Sequence, residues 1–304
     1  MILDSDTNIV YFSKQLLEYT HGIDIVKQLD EHGVFVDFIP STKDIWARDY
    51  MPVQIADNKY LGYEYCPNYL YPHYTSLITN QARVCDEMEI DTIPTGIIID
   101  GGNIVKTSKG IIMIDKVFRE NNHFAKIELI NRLENAFCSE IIFLPWDRSE
   151  YYGHADGVVR EISAGKVLMT NYQRFSKKYA GLFEKILSSH FDVEALDYDV
   201  KKPHKNNWCY INFLRVGDKI FLPQLTPIRR VAEEECDTIN SKSEYVPMGE
   251  IVEEDALAVE QFKRLFTDCE IIPVSCPKIV DEGGALNCIS WNVKEARASF
   301  LPEI

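Results

Sequence analysis

Apolar positions along this chain switch between helical and extended spacing, and the switch recurs five times. In each copy, residues at helical spacing precede a short β-branched or aromatic run. The predicted helices cover residues 14–31, 76–89, 124–137, 175–191 and 256–266, and the predicted strands cover 34–40, 96–100, 141–145, 193–200 and 270–274. Such internal repetition predicts five copies of one supersecondary unit.

Shorter apolar runs, such as 110–114 and 219–223, lie between these units, so each unit is predicted to hold several strands and one helix. Five units closed into a ring would bring their loops to a common axis. An open α/β sheet would give the same alternation, and the pattern by itself favours it. No low-complexity linker divides the chain. We therefore predict one α/β domain over residues 1–304, with the charged stretch 229–254 as an excursion from the repeat.

Charge narrows the classes of partner. The formal net charge is −15 and 46% of the residues are hydrophobic, which gives a large core and an acidic surface. Nucleic acid and anionic membranes are polyanions that such a surface repels, so we expect neither as a partner. A small cationic molecule would be attracted, although an acidic surface also serves solubility alone.

The cysteines and the chain start predict a cytoplasmic protein. None of the eight cysteines forms a CxxC pair, and a chain of this size does not need disulfides for stability. The first residues are interrupted by Asp4 and Asp6, which is unlike a secretion signal. No apolar run reaches the roughly 20 residues that span a bilayer.

Four short polar stretches follow the repeat. They are residues 46–49 (WARD), 100–103 (DGGN), 154–156 (HAD) and 283–288 (GGALNC). Together they supply carboxylates, an imidazole and a thiol.

This set of side chains suits attack on a guanidinium group. That cation is planar and resonance-stabilised, so its carbon reacts only when carboxylates hold it and a donor protonates the leaving amine. Asp49 and Asp156 can grip its nitrogens through charge-assisted hydrogen bonds. His154 can protonate ammonia and then activate water. Cys288 supplies a nucleophile that reacts as the thiolate, and Gly283 and Gly284 allow close backbone approach to a substrate.

Each motif alone has a simpler interpretation. Asp49 beside Arg48 could form a structural ion pair, a lone HxD is commonly a surface pair, and a lone cysteine is usually part of a core. A zinc site at His154, Asp156 and Cys288 lacks the HExxH or CxxC spacing that typifies such sites. The order of the motifs carries more information than any one of them.

That order resembles the agmatine deiminase and bacterial peptidyl-arginine deiminase family. The matching motifs are WxRDxxP at 46–52, DGGN at 100–103, HxDG at 154–157 and GGxxxC at 283–288, with a further family-like segment at 210–213. The resemblance spans about residues 40–295.

The resemblance implies a fold, a reaction and a set of residues. The fold is the pentein fold, a five-bladed β/α propeller with the site on its pseudo-fivefold axis. Cys288 would attack the guanidinium carbon, ammonia would leave, and water would hydrolyse the covalent thiouronium; Asp49 and Asp156 would hold the cation and His154 would transfer protons. The favoured substrate is agmatine, giving N-carbamoylputrescine, and no metal or organic cofactor is implied. Further substrate-binding residues would be Trp46, Arg48, Asp100, Gly102, Asn103, Gly284 and Asn287.

Two departures from the family pattern leave specificity and assembly open. Asn287 precedes the cysteine where agmatine deiminases typically have His, and residues 104–106 (IVK) follow DGGN in place of His-x-Asp-Gly. The substrate could therefore be agmatine, free arginine or an arginyl peptide. An amidinotransferase and a non-catalytic guanidinium-binding protein are further alternatives, and a homodimer is one assembly compatible with the sequence.

Overall fold

The computed structural model describes residues 1–230 and 245–295. Its strands are β1 (Ile9–Ser13), β2 (Phe35–Ile39), β3 (Val53–Ala56), β4 (Lys59–Glu64), β5 (Thr92–Ile98), β6 (Val105–Thr107), β7 (Gly110–Ile114), β8 (Ile141–Leu144), β9 (Val159–Ser163), β10 (Lys166–Met169), β11 (Asp192–Ala195), β12 (Leu214–Val216), β13 (Lys219–Gln224), β14 (Ile228–Arg230), β15 (Tyr245–Pro247), β16 (Glu270–Ser275) and β17 (Ser290–Val293). Its α-helices are α1 (Thr20–Glu31), α2 (Ala47–Tyr50), α3 (Gln81–Glu87), α4 (Val117–Glu120), α5 (Lys126–Phe137), α6 (Lys177–Leu187), α7 (Glu253–Leu265) and α8 (Pro277–Asp281).

Five three-stranded sheets share one pattern. Their strand orders are β17-β1-β2, β3-β4-β5, β6-β7-β8, β9-β10-β11 and β12-β13-β16. In each sheet the first two strands are antiparallel and the last two are parallel. A parallel pair needs a crossover connection, which a helix supplies here in every unit. The predicted α/β class with small sheets and helices is therefore confirmed.

One sheet joins the two ends of the described chain. Strand β17 pairs antiparallel with β1, with Ile9 opposite Val293, and β1 pairs parallel with β2. Asn8 and Glu295 extend this pairing by hydrogen bonds in both directions, each 2.9 Å long. The first unit thus takes its first strand from the other end of the sequence.

The helices bury the stripes that their spacing predicts. Leu129, Leu133 and Phe137 of α5 are buried at intervals of four residues, and Ala180, Phe183 and Leu187 of α6 at intervals of three and four. The crossover helix predicted at 76–89 is shorter than expected, because residues 75–77 form a separate 3-10 turn and Asn80 caps α3 through a hydrogen bond to the Arg83 amide.

The predicted excursion is only partly described. Residues 231–244 of the stretch 229–254 lie outside the described residues, and β14 and β15 on either side pair antiparallel. None of the described helices is both long and apolar enough to cross a membrane.

Candidate active site

The predicted polar stretches fold as short turns between consecutive sheets. Helix α2 leads into β3, the 3-10 turns Gly101–Asn103 and Ala155–Gly157 lead into β6 and β9, and the 3-10 turn Asn207–Ile211 leads into β12. The loop 283–289 leads into β17 in the same way. Each turn thus precedes the first strand of a sheet, so that side chains from five units are presented at equivalent positions.

Hydrogen bonds link several of these turns to one another. The Asn287 amide donates to the Asn212 carbonyl at 3.1 Å, and the Arg48 amide donates to the Cys288 carbonyl at 3.1 Å. The Gly102 amide donates to Asp49 Oδ1 at 2.9 Å. Residues far apart in sequence are therefore held together by hydrogen bonds that backbone amides donate, and these bonds fix the positions of the nearby side chains.

The thiol of Cys288 lies against Asp156. Its Sγ is 3.7 Å from Asp156 Oδ2, and the same oxygen accepts a 2.7 Å hydrogen bond from Asn287 Nδ2. The side-chain oxygen of Asn212 accepts the amides of Ala285 and Cys288, each at 3.2 Å. Asn212 therefore orients the cysteine loop, and Asn287 orients the carboxylate that the thiol faces.

His154 lies between two carboxylates. Its Nδ1 is 3.6 Å from Asp49 Oδ1, and its Nε2 is 3.1 Å from Asp100 Oδ2. Asp100 is fully buried, and the same Oδ2 accepts a 2.5 Å hydrogen bond from Lys116 Nζ. Lys116 also donates to the Tyr152 carbonyl at 2.6 Å and lies 3.3 Å from Glu120 Oε1. A buried row of alternating charge thus supports the imidazole from behind.

These neighbours set the protonation of the imidazole and its partner. Burial favours a neutral imidazole, but the Asp49 carboxylate and the hydrogen bond to Asp100 outweigh it and raise the pKa of His154 to about 9. Burial also opposes the charge on Asp100, yet Lys116 and His154 hold its pKa at about 2. At neutral pH the pair is therefore an imidazolium and a carboxylate.

Asp49 and Cys288, the residues predicted to grip and to attack the substrate, both have raised pKa values. Burial raises the pKa of Asp49 to about 6, opposed by His154 and reinforced by Asp100 and Asp156. Burial, together with Asp156 and Asp49, raises the pKa of the Cys288 thiol well above its usual range. A bound cation would relieve both effects, since it favours the carboxylate and the thiolate alike.

A cavity of about 680 Å³ opens over these residues. Six of the predicted site residues line it, namely Trp46, Asp49, His154, Asp156, Gly284 and Cys288. Aromatic side chains form much of the rest of the wall, including Tyr69, Tyr152 and Trp208. The described lining residues include five acids (Asp44, Asp49, Asp147, Glu150 and Asp156) and no Lys or Arg. The cavity therefore suits a cation with an apolar stem.

Five residues predicted to bind substrate lie behind the cavity wall. They are Arg48, Asp100, Gly102, Asn103 and Asn287, none of which lines the cavity. Arg48 donates to Asn292 Oδ1 at 2.6 Å and to the Asn287 carbonyl at 3.3 Å, and the ion pair with Asp49 considered from the sequence does not form. Asn103 exchanges hydrogen bonds with the backbone of Ile114. In this arrangement they act on a substrate only through the residues in front of them.

The sequence alone did not identify three supporting residues. Lys116 lies in an amphipathic segment that looks like an ordinary helix start, and Tyr152 lies in a run of polar residues before His154. Asn212 falls in the family-like segment 210–213, which was the one available signal for it. All three make contacts between different turns, which spacing along the chain does not encode.

The wall around the thiol leaves no room for a side chain at position 284. A Cβ there would lie 2.2 Å from Trp46 Cζ3 and 3.0 Å from Cys288 Cβ. We expect Gly284→Ala to displace the indole or the cysteine loop and to lower catalytic activity about 100-fold, since a shift of roughly 1 Å has that effect. Far-UV circular dichroism should be unchanged. Gly181→Ala in α6, where a Cβ meets no atom within 4 Å, is the matched control and should keep full activity.

Comparisons with known proteins identify a family and several relatives of this chain. The profile of the Porphyromonas-type peptidyl-arginine deiminase family matches residues 9–293. A curated relative from Lactococcus lactis subsp. lactis, provisionally named an agmatine deiminase, is 25% identical over 233 residues, which are 71% of this chain and 62% of that protein. The chain thus spans under two thirds of that relative.

Solved structures extend the likeness in fold. The agmatine deiminase of C. jejuni is 16% identical, with a TM-score of 0.71 over 97% of this chain and 96% of that one. The agmatine deiminase of Enterococcus faecalis is 16% identical, with a TM-score of 0.67 over 97% and 95%. The profile match runs through all four motifs and through both strands that join the chain ends, and this chain therefore belongs to the Porphyromonas-type peptidyl-arginine deiminase family.

Proposed function

We propose that this protein hydrolyses a guanidino substrate, with agmatine favoured, to a ureido product and ammonia. The observation that carries the proposal is the arrangement of Cys288, His154, Asp49 and Asp156 around one cavity whose described wall contains no Lys or Arg. The guanidinium would lie between the two carboxylates, and its presence would favour the thiolate.

The chemistry then divides into two halves. In the first, Cys288 Sγ bonds to the guanidinium carbon, the C–N bond breaks, and the departing nitrogen leaves as ammonia with a proton from His154. In the second, water attacks the thiouronium carbon and gives one proton to His154; collapse of this adduct displaces the thiolate and releases the remaining hydroxyl proton, which ammonia takes up as ammonium. The sum is guanidinium plus water giving a urea plus ammonium, so atoms and charge balance. One imidazole serves both halves because, with a pKa of about 9, it can give a proton to ammonia and then take one from water.

The charge of the cavity wall also affects which guanidino compound binds. Free arginine differs from agmatine by a carboxylate, which would enter an acidic cavity with no cationic partner among the described lining residues. Like charges brought together this way cost several kcal/mol. The ammonium end of agmatine would instead be attracted to acids such as Asp147 and Glu150.

A panel of agmatine, arginine and arginyl peptides, scored for ammonia and ureido product, tests the proposal. We expect kcat/KM for agmatine to exceed that for arginine by at least about 100-fold. Preferred turnover of arginyl peptides would favour a peptidyl-arginine deiminase. Transfer of the amidino group to an added amine would favour an amidinotransferase, and binding without turnover would sink the proposed reaction.

The pH dependence follows from the two groups beside the substrate. Asp49 must be ionised to hold the cation, and its pKa is about 6. His154 must be protonated to release ammonia, and its pKa is about 9. We expect kcat/KM to fall below about pH 6 and above about pH 9 when initial rates are measured across that range, with its maximum near the alkaline end because the pKa of the Cys288 thiol is raised. His154→Asn should remove activity across the whole range and leave no alkaline limb to measure.

The same proposal includes a five-bladed β/α propeller formed by one domain over residues 1–304. Its support is the repetition of one sheet pattern five times, the equivalent placement of five turns, and the sheet that joins both ends of the described chain. A cytoplasmic location goes with it, supported by seven free thiols among the described cysteines.

A further inference from the structure

A second cluster of charge lies behind the active site, on the first strands of the sheets. Each of these strands carries a polar side chain, namely Gln54 on β3, Lys106 on β6, Arg160 on β9, Arg215 on β12 and Asn292 on β17. Three of these five side chains are cations. The residues beside them on the short first strands are mostly buried and hydrophobic. The proposed mechanism uses none of them.

Positive charge outnumbers negative charge in this cluster. Asp4 Oδ1 is 3.1 Å from Lys106 Nζ, and Asp4 Oδ2 is 2.8 Å from Arg160 Nη2. The guanidinium of Arg48 acts on the same carboxylate, and the three cations outweigh burial to lower the pKa of Asp4 well below its usual range. Asp4 thus faces three cations, Asp156 also acts on Arg160, and the side chains of Lys106 and Arg160 are only 9% and 5% exposed.

Two of these cations have N–H donors for which the described residues provide no acceptor. Arg48 donates through Nε and Nη2, and within the described residues its Nη1 has no protein acceptor. Among the described residues Lys106 Nζ has Asp4 as its one ionic partner, although an ammonium has three donors. Arg160 is better satisfied, because its Nη1 donates to the Phe213 carbonyl at 2.8 Å. The donors without a protein acceptor therefore belong to Arg48 and Lys106.

A small cavity lies on that side. Its volume is about 20 Å³, and its wall includes Arg48, Gln54, Lys106 and Asn292 beside apolar groups such as Trp291. A cavity needs at least about 10–15 Å³ to hold one water, so this one has room for a single water-sized or halide-sized species and nothing larger. Uncompensated buried cations are costly, which favours an anion over water there.

We propose that this cavity is a binding site for one small monovalent anion, with chloride as the ordinary occupant. Arg48 and Lys106 are its ligands, and Gln54 and Asn292 complete the polar part of its wall. Arg48 also donates to the carbonyl of Asn287 and, through its amide, to that of Cys288. The anion would therefore hold the residue that anchors the cysteine loop from behind.

Bromide and thermal unfolding test the site without reference to activity. Crystals of the full chain soaked in sodium bromide should show an anomalous peak between Arg48 and Lys106. The Tm in sodium chloride should exceed that in sodium gluconate of equal ionic strength by about 2 °C, because an anion that binds only the folded state stabilises it. Lys106→Met should lose this difference, and Lys59→Met, which removes an exposed lysine, should keep it.

Three results would overturn the proposal. The first is a bromide map with no peak in this cavity. The second is a peak without any chloride dependence of the Tm, which would indicate an adventitious ion only. The third is a chloride effect that Lys106→Met leaves intact. If Lys106→Met does not fold, Lys106→Gln gives the same comparison, and the bromide result on the unaltered protein stands independently.

Discussion

Replacing Cys288 with alanine is expected to lower kcat for ammonia release by at least about 10⁴-fold, the scale on which loss of a nucleophile acts. The variant should still bind the guanidino substrate, because Asp49 and Asp156 stay in place. A coupled assay of ammonia release measures the loss of turnover, and calorimetry on the same sample measures the substrate binding that remains. Full activity in the variant would refute the proposed covalent route.

The reactivity of the thiol gives a sharper form of this prediction. Because burial and the two carboxylates raise the pKa of Cys288 in the free protein, a neutral reagent should alkylate it slowly. Chloroacetamidine, a cation, should bind between the carboxylates and favour the thiolate. Chloroacetamide is nearly the same size but neutral. We expect the cation to react about 10- to 1000-fold faster, the range that an opposite charge at contact distance produces.

Cys138 provides an internal control in the same experiment. Its thiol is exposed and lies outside the cavity wall, so both reagents should label it at similar rates in the peptide map. Asp156→Asn should narrow the preference at Cys288 and leave Cys138 unchanged. Equal rates for the two reagents at Cys288 would contradict substrate-assisted ionisation.

Lys116→Met is expected to destabilise the fold by about 3 kcal/mol, because it removes the ammonium from between the buried carboxyl groups of Asp100 and Glu120 and leaves His154 as the remaining cation beside Asp100. Methionine nearly matches the volume of lysine, so packing should contribute little. Urea unfolding at neutral pH measures the free energy change. Lys59→Met, an exposed lysine on β4, is the control and should change stability by less than about 0.5 kcal/mol.

Lys116 is expected to have two pH effects, one on stability through Asp100 and one on activity through His154, and the second separates a positioning role from a purely structural one. Asp100 has a pKa of about 2 in the folded protein against an ordinary 3.8, so it contributes stability above that ordinary value that is lost as the pH falls through about 2. Lys116→Met should weaken this acid-dependent contribution. Lys116 also lowers the pKa of His154, so its loss should move the alkaline limb of kcat/KM to higher pH. A variant with altered stability but an unmoved limb would limit Lys116 to a structural part.

Helical spacing and long apolar runs predicted the parts of the fold that bury large side chains. Strand β7 was predicted at 110–114 and is found there, and α5 and α7 begin within a few residues of their predicted starts. The first strands of the sheets were missed, because β6 and β12 are three residues long and each carries a cation in the middle. Strands this short show no alternation of apolar and polar residues, and only their hydrogen bonds to a neighbouring strand identify them.

The sequence predicts those site residues whose side-chain chemistry the proposed reaction requires. Asp49, His154, Asp156 and Cys288 were chosen for what a guanidinium requires, and the structure brings them to one cavity. Asp100 was expected to touch substrate but lies behind His154, because the motif gives its neighbours in sequence and not the direction of its side chain. Lys116 is found only through its 2.5 Å contact with Asp100, made by side chains from different turns.

The pairing of β17 with β1 has a consequence for when the site comes into being. Cys288 lies two residues before β17, and among the described strands β17 pairs only with β1, near the opposite end of the described chain. During synthesis, a ribosome-bound chain can carry Asp49, His154 and Asp156 long before the thiol has a strand to anchor it. Closing so long a loop comes late in folding. Under the proposed mechanism, a chain in which β17 has not yet paired with β1 has the carboxylates and the imidazole but no anchored nucleophile, and it should release no ammonia.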